Sequence, residues 1–216
     1  MGEFFNPEKG IWAWLSTLVD ICGLSVLWIF LCLPLATAGP ATAALYYTVV
    51  THIRRREAGA FGAYLRSFRD NLTLGLWVDL IVIPATLLLY AGHYVVRWYG
   101  TRLGGMAYIL YVAYYFALIL PAGVLCWLFP LLGRFEYRLK ELFRTALQLT
   151  IAHLPSTVVV VLLVAQTAVF CITRWWPVVF IPVLTTLLVS LFFERIFQKY
   201  SPELAPKEPE TMEEEL

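Results

Sequence analysis

The fold is decided by the stretch CLPLATAGPATAALYY, residues Cys32 to Tyr47. It follows a long apolar run and precedes three consecutive arginines, and two prolines and a glycine interrupt its membrane-like composition. Pro34 removes a backbone donor and disfavours a helical conformation in the residue before it, whereas Gly39-Pro40 is a turn signal whose proline suits the start of a helix. The pattern therefore predicts a helix ending near Leu33, a turn from Leu35 to Gly39, and a second helix from Pro40.

The composition of the chain is that of a membrane protein. Hydrophobic residues make up 60% of the sequence and charged residues 14%, against roughly a quarter charged in soluble domains. A soluble core could not bury that much apolar surface. The net charge of +1 provides no general basic field, so no nucleic acid partner is expected. The sequence predicts an all-α, polytopic membrane helix bundle whose surroundings are the lipid bilayer.

Six apolar segments are predicted to cross or enter the bilayer. They are Ile11–Leu33, Pro40–Ile53, Leu72–Val96, Met106–Leu132, Ser156–Thr173 and Val178–Phe193. The first is long enough for the roughly 20 residues that a membrane-spanning helix needs. The second is short, so it crosses with help from the preceding turn or re-enters on the same side. Residues 1–200 are expected to form one membrane domain, and 201–216, with six glutamates, a disordered acidic tail.

Two amphipathic segments are predicted to lie on the membrane surface. One runs from Phe61 to Asp70 and the other from Arg134 to Arg144, and each has apolar residues on one helical face with arginines around it. Between the third and fourth apolar segments, Arg97 to Gly105 is predicted to be a polar loop.

Lysine and arginine are unevenly distributed between the predicted connections. If all six segments cross, thirteen of these residues lie on one side, and only Arg97, Arg102 and Arg174 lie on the other. Cytoplasmic loops of membrane proteins are enriched in both residues. Both termini, both surface helices and the acidic tail are therefore predicted to be cytoplasmic. If the Pro40 helix does not cross, only Lys9 changes sides.

A set of residues between Asp20 and Pro155 forms a family pattern. They are Asp20, Trp28, Cys32-Leu33-Pro34, Thr37, Gly39-Pro40-Ala41-Thr42, Ala44-Leu45-Tyr46-Tyr47, Phe68, Asn71, Pro130, Arg134-Phe135, Leu139, Ala146 and Leu154-Pro155. The pattern resembles that of the YesL family, although Ser25 stands where an asparagine is expected. The resemblance implies a bacterial cytoplasmic membrane protein of unassigned biochemical activity. Family genes often lie beside those for sugar-importing ABC transporters, which implies a role in carbohydrate uptake.

Two aspartates lie inside predicted membrane segments. Asp20 is about eight residues into the first segment and Asp79 about seven into the third, so both carboxylates are predicted to lie roughly 10–12 Å deep. An acid in the bilayer marks a functional site or a satisfied structural group. With Thr37, Gly39 and Thr42 the aspartates form the candidate polar site, and Gly39 is expected at positive φ in a tight turn. A helix clamp, a ligand or proton site, and a subunit contact all remain open.

The second surface segment is a candidate docking surface. Arg134, Phe135, Arg138 and Arg144 combine guanidinium groups with an aromatic ring at the predicted cytoplasmic side. The plainer alternative is a positive-inside connection that its aromatic residues anchor to the lipid headgroups. Given the resemblance, the expected partner is a permease subunit of an ABC transporter.

No catalytic, cofactor or metal-binding motif is found in the sequence. The three histidines are far apart, and the four cysteines form no closely spaced pair, so neither a metal nor a cofactor is expected. We therefore predict a protein without enzymatic activity that serves as an accessory or assembly subunit for oligosaccharide uptake. A small secondary transporter that uses the two carboxylates is the alternative, and an intramembrane enzyme is a remote one. The sequence indicates no oligomeric state.

Overall fold

The computed structural model of the protein describes residues 7–55, 57, 59–103, 106–174 and 176–200. Within these ranges the regular structure is helical throughout. The α-helices are α1 (Pro7–Cys32), α2 (Ala38–Thr48), α3 (Ala60–Asp70), α4 (Leu72–Leu103), α5 (Met106–Arg134), α6 (Leu139–Ala152), α7 (Leu154–Thr173) and α8 (Ile181–Tyr200). Short 3-10 turns span Leu35–Thr37 and Trp176–Val179, and a π turn over Val49–Ile53 extends α2. The predicted acidic tail lies outside the described residues.

Among the described residues, four helices are long and apolar enough to cross a membrane. The candidate spans are Leu72–Tyr99, Tyr108–Arg134, Leu154–Thr173 and Ile181–Lys199, and Thr17–Cys32 of α1 is a shorter apolar segment. By helix length and hydropathy, the chain is therefore a multi-pass membrane protein. The remaining predicted segment, α2 with its π turn, is too short to qualify, so the prediction of six crossings stays a prediction.

Two predicted helix boundaries are wrong, the end of α4 and the start of α8. The predicted polar loop from Arg97 is helical as far as Leu103, because arginine, tryptophan and tyrosine are polar or interfacial residues without being helix breakers. The last helix begins at Ile181, three residues later than predicted, because the chain first forms the 3-10 turn that contains Pro177.

The predicted surface helix from Arg134 to Arg144 is also shifted. Arg134 is the last residue of α5, residues 136–138 are not helical, and α6 begins at Leu139. The backbone amide of Arg138 donates a 3.2 Å hydrogen bond to the Glu141 carboxylate, which fixes the start of the helix because a side chain from the first turn caps it. The other predicted surface helix corresponds to α3, which begins one residue earlier than predicted and ends at Asp70 as predicted. Its position on the membrane surface stays a prediction.

The centre of the fold is α2. Its buried residues are Gly39, Pro40, Ala41, Ala43, Ala44, Leu45, Tyr46 and Thr48. The helix packs against α1, α3, α4, α5 and α8, with one apolar cluster on each side. Small residues allow this, since they let helix backbones approach closely in membrane proteins. A Cβ on Gly133 of α5, for example, would overlap the backbone carbonyl of Ala43.

The start of α2 differs from the prediction in two respects. The helix begins at Ala38, so Pro40 is its third residue, which is allowed because the amides of a first helical turn have no intrahelical partner. The expected positive φ at Gly39 is wrong: among the described glycines, only Gly59, at φ 89°, has a positive φ. Gly59 directly precedes α3.

The two helices predicted to lie on the surface, α3 and α6, both pack against the bundle. In α3, Tyr64 is buried and its hydroxyl donates a 3.2 Å hydrogen bond to the Ala41 carbonyl of α2. In α6, Leu142, Ala146 and Leu149 are buried and belong to the apolar cluster that also contains residues of α5 and α8. Each helix therefore buries part of its apolar face against the protein and leaves its arginines outside, while Phe61 and Leu65 of α3 stay exposed.

Candidate polar site around helix α2

Asp79 of α4 lies against the first turn of α2. Its side chain is buried, and Oδ2 accepts a hydrogen bond of 2.6 Å from the Gly39 amide. That amide has no partner within its own helix, and the N-terminus of a helix carries a partial positive charge. The carboxylate therefore satisfies the donor and complements the helix dipole, which makes Asp79 a cap supplied by a neighbouring helix.

The contact also explains why residue 39 has no side chain. A Cβ at this position would overlap the carboxylate of Asp79. The glycine is thus required by close approach between α2 and α4, and its backbone conformation is helical. The sequence prediction identified the right residue for the wrong physical reason.

Thr37 and Thr42 hold the chain on either side of Gly39. Thr37 Oγ1 donates a 2.6 Å hydrogen bond to the Leu31 carbonyl in the last turn of α1. Thr42 Oγ1 accepts a 3.2 Å hydrogen bond from the Trp28 indole. Both hydroxyls therefore join α1 to the segment that follows it, and neither is left without a partner.

Asp20 is not part of this group. It is half-exposed on α1, eight residues and so roughly 12 Å before Trp28 along the helix axis. Asp79, in contrast, binds the amide of Gly39, which follows the end of α1. Of the five predicted polar residues, the structure brings together Asp79, Thr37, Gly39 and Thr42.

A second buried polar cluster was missed by the sequence reasoning. Glu194 of α8 accepts a hydrogen bond of 3.2 Å from Arg134 Nη2 and one of 3.1 Å from the Tyr46 hydroxyl. The Arg134 and Glu194 side chains are only 12% and 7% exposed. The cluster joins α2, α5 and α8. The sequence did contain a signal for this cluster. Glu194 and Arg134 each stand at the end of an apolar segment, and both ends are predicted to be cytoplasmic.

The four predicted docking residues separate into two pairs. Arg134 is held by Glu194, and the ring of half-buried Phe135 packs edge-on against Phe197, with ring centres 5.4 Å apart. Arg138, which directly precedes α6, and Arg144, on α6, are exposed. The first pair is thus engaged within the protein, and the docking role of the second stays a prediction.

The described residues offer little to hold a metal ion. No group of three or more histidine, cysteine, aspartate or glutamate side chains lies close enough together in the described ranges. The four cysteines are free thiols. The polar contacts described above around α2 are hydrogen bonds and the ion pair of Arg134 with Glu194, which are interactions that fix helices in place.

Residues 21–93 match the model of a family described as a protein of unknown function, DUF624, which is the YesL-type family. The matched segment contains α2, α3 and Asp79, whereas Asp20 lies one residue before it and Glu194 lies far beyond it. No curated protein and no solved structure matched the chain.

Proposed function

We propose that the whole chain is a YesL-type protein of the bacterial cytoplasmic membrane that acts, without enzymatic activity, as an accessory or assembly subunit beside a carbohydrate ABC importer. The observation that supports a structural role is that the buried carboxylates of the protein bind groups on neighbouring helices. Asp79 binds the Gly39 amide, and Glu194 binds Arg134 and Tyr46. Both carboxylates hold α2 through these hydrogen bonds, which favours a structural role over proton or ion transfer.

The surface that fits a partner is the outer face of α6. Lys140 and Arg144 are exposed there, and exposed Arg138 directly precedes the helix, while the opposite face is buried, mainly against α5. Among the described residues, the ion pair formed is that of Arg134 with Glu194, so these three cations are not neutralised internally. A row of such charges favours an acidic partner surface, because electrostatic complementarity steers association and excludes wrong partners. The choice of an ABC permease as that partner rests on the family resemblance.

Co-purification tests this proposal. The tagged protein, extracted in a mild detergent, is expected to retain the permease pair encoded in the same operon. Arg138→Glu with Arg144→Glu should lower the amount retained by about tenfold, since reversing charges in an interface costs several kcal/mol. Arg97→Glu is the matched control, because Arg97 is also exposed but lies near the far end of α4. Equal retention by the α6 variant and the control would overturn the docking surface.

The proposed docking requires α3 and α6 to be cytoplasmic. Single cysteines at Glu57, Lys140 and Arg102, in a background without native cysteines, report the topology through a membrane-impermeant maleimide. Because basic connections stay inside, we expect labelling of residue 102 in intact cells, and of residues 57 and 140 only after lysis. Labelling of residues 57 and 102 from the same side would contradict the proposed orientation.

A small secondary transporter is the competing function. It is favoured by one observation, the burial of an ionisable residue, Asp79, inside a candidate membrane span, since intramembrane acids often carry protons or bind ions. The two functions differ in whether the charge of Asp79 is needed or only its hydrogen bond.

A further inference from the structure

A polar cleft of about 450 Å³ opens at the end of the bundle that α3 covers. Its wall includes Arg66 and Asp70 of α3, together with Arg134 and Glu136, where α5 leads into α6. Gly62 also lines it, and a Cβ at that position would meet no atom within 4 Å. The cleft is thus a space with charged walls and an open side.

The cleft lies where two candidate spans end. Asn71 and Arg134 both line it; the span in α4 begins at the next residue, Leu72, and the span in α5 ends at Arg134. If these helices cross the bilayer, the cleft is level with the lipid headgroups. The neighbouring face of α3 exposes Phe61 and Leu65, side chains that suit the boundary between headgroups and acyl chains.

The charges of the cleft have both signs. Arg66 and Asp70 are one helical turn apart, and both are exposed, as is Glu136. In the part of the chain that the structure describes, the ion pair found is that of Arg134 with Glu194, so Arg66, Asp70 and Glu136 are not paired with one another. A purely anionic ligand would meet two carboxylates, and a purely cationic one would meet a guanidinium. A ligand that carries both charges complements the whole set.

We propose that this cleft binds the headgroup of a phospholipid that bears a phosphate and a primary ammonium, as phosphatidylethanolamine does. The phosphate oxygens accept hydrogen bonds from Arg66, because a guanidinium is a strong partner for phosphate. The ammonium has three N–H donors, which suits the carboxylates of Asp70 and Glu136. A quaternary ammonium has no such donor, and a glycerol headgroup has no positive charge. This binding goes beyond the proposed function and needs no partner protein.

Native mass spectrometry of the delipidated protein with equal amounts of phosphatidylethanolamine, phosphatidylcholine and phosphatidylglycerol tests the proposal. We expect phosphatidylethanolamine to be retained about tenfold more than either other lipid, because only its ammonium group donates hydrogen bonds to the carboxylates, and hydrogen bonds between charged groups are strong. Arg66→Gln and Asp70→Asn should each remove most of this preference. Arg69→Gln is the control, since Arg69 is exposed on the same helix and does not line the cleft.

A filling variant separates binding from folding. Gly62→Leu adds a side chain where a Cβ has room, so the midpoint of thermal unfolding should be kept while phosphatidylethanolamine retention is lost. Equal retention by Arg66→Gln and Arg69→Gln, or no preference among the three lipids, would overturn the proposal. Soluble glycerophosphoethanolamine carries the same phosphate and ammonium groups without acyl chains, so it tests whether the ligand is a membrane lipid. If it displaced the lipid at an equal concentration, the assignment to a membrane lipid would be overturned.

Discussion

Replacing Arg134 with methionine is expected to lower the free energy of unfolding by about 3–5 kcal/mol, the range found when one partner of a buried ion pair is removed. The Arg134 and Glu194 side chains are 12% and 7% exposed, and Nη2 lies 3.2 Å from Oε2. Without the guanidinium, the carboxylate of Glu194 would stay buried where α2, α5 and α8 meet. Tyr46 would then be its hydrogen-bond donor within the described part of the chain.

Two further variants make this result specific. Arg134→Met combined with Glu194→Gln should recover most of the loss, because no unpaired charge remains and glutamine still offers an oxygen to the Tyr46 hydroxyl. Arg144→Met, on the exposed face of α6, should change the unfolding free energy by only about 0.5 kcal/mol. The midpoint of thermal unfolding in detergent reports all three. Equal shifts for Arg134→Met and Arg144→Met would mean that the ion pair does not stabilise the bundle.

Gly39→Val should have the second large effect. The new side chain would overlap the Asp79 carboxylate, and such overpacking costs about 1–3 kcal/mol. Any movement of α2 that relieves the overlap also breaks the 2.6 Å hydrogen bond from the Gly39 amide, which leaves a buried acceptor unsatisfied at about 1–3 kcal/mol. We therefore expect a marked fall in the amount of folded protein, measured by size-exclusion chromatography of detergent extracts.

The matched control is Gly62→Val. It is the same substitution in a helix, but the added Cβ meets no atom within 4 Å, so it isolates the effect of the overlap from that of helix propensity. Its amount of folded protein should stay close to that of the wild type. If both valine variants accumulated equally, the close approach of Asp79 to Gly39 would have no energetic importance.

The stretch from Cys32 to Tyr47 shows how far local sequence can define this fold. Pro34 and Gly39-Pro40 predict a break between two helices because their effects on the backbone are local, and α1 does end at Cys32. The next helix begins two residues earlier than predicted, because Asp79, forty positions away, supplies a partner for its first-turn amide. A cap that comes from another helix leaves no signal in the neighbouring residues.

The Arg134 and Glu194 pair could not be found by spacing. Counting charges at the ends of apolar segments treats each arginine as facing water, and this holds for Arg138 and Arg144 but fails for Arg134. Whether a charge at a helix end is paired depends on which helices are neighbours, and the sequence pattern does not contain that information. The amphipathic period was a better guide. It identified α3 and the part of α6 from Leu139 to Arg144.

The most direct test of the claim that the buried charges hold the scaffold is Asp79→Asn, with protein abundance and sugar uptake measured in the same cells. Asparagine keeps the shape of the side chain and an oxygen that can accept the Gly39 hydrogen bond, but it removes the charge. A structural clamp predicts abundance and uptake close to those of the wild type, while Asp79→Ala loses abundance because a buried donor is left unsatisfied at about 1–3 kcal/mol. Normal abundance of Asp79→Asn with abolished uptake would contradict the clamp and identify Asp79 as part of a transport site.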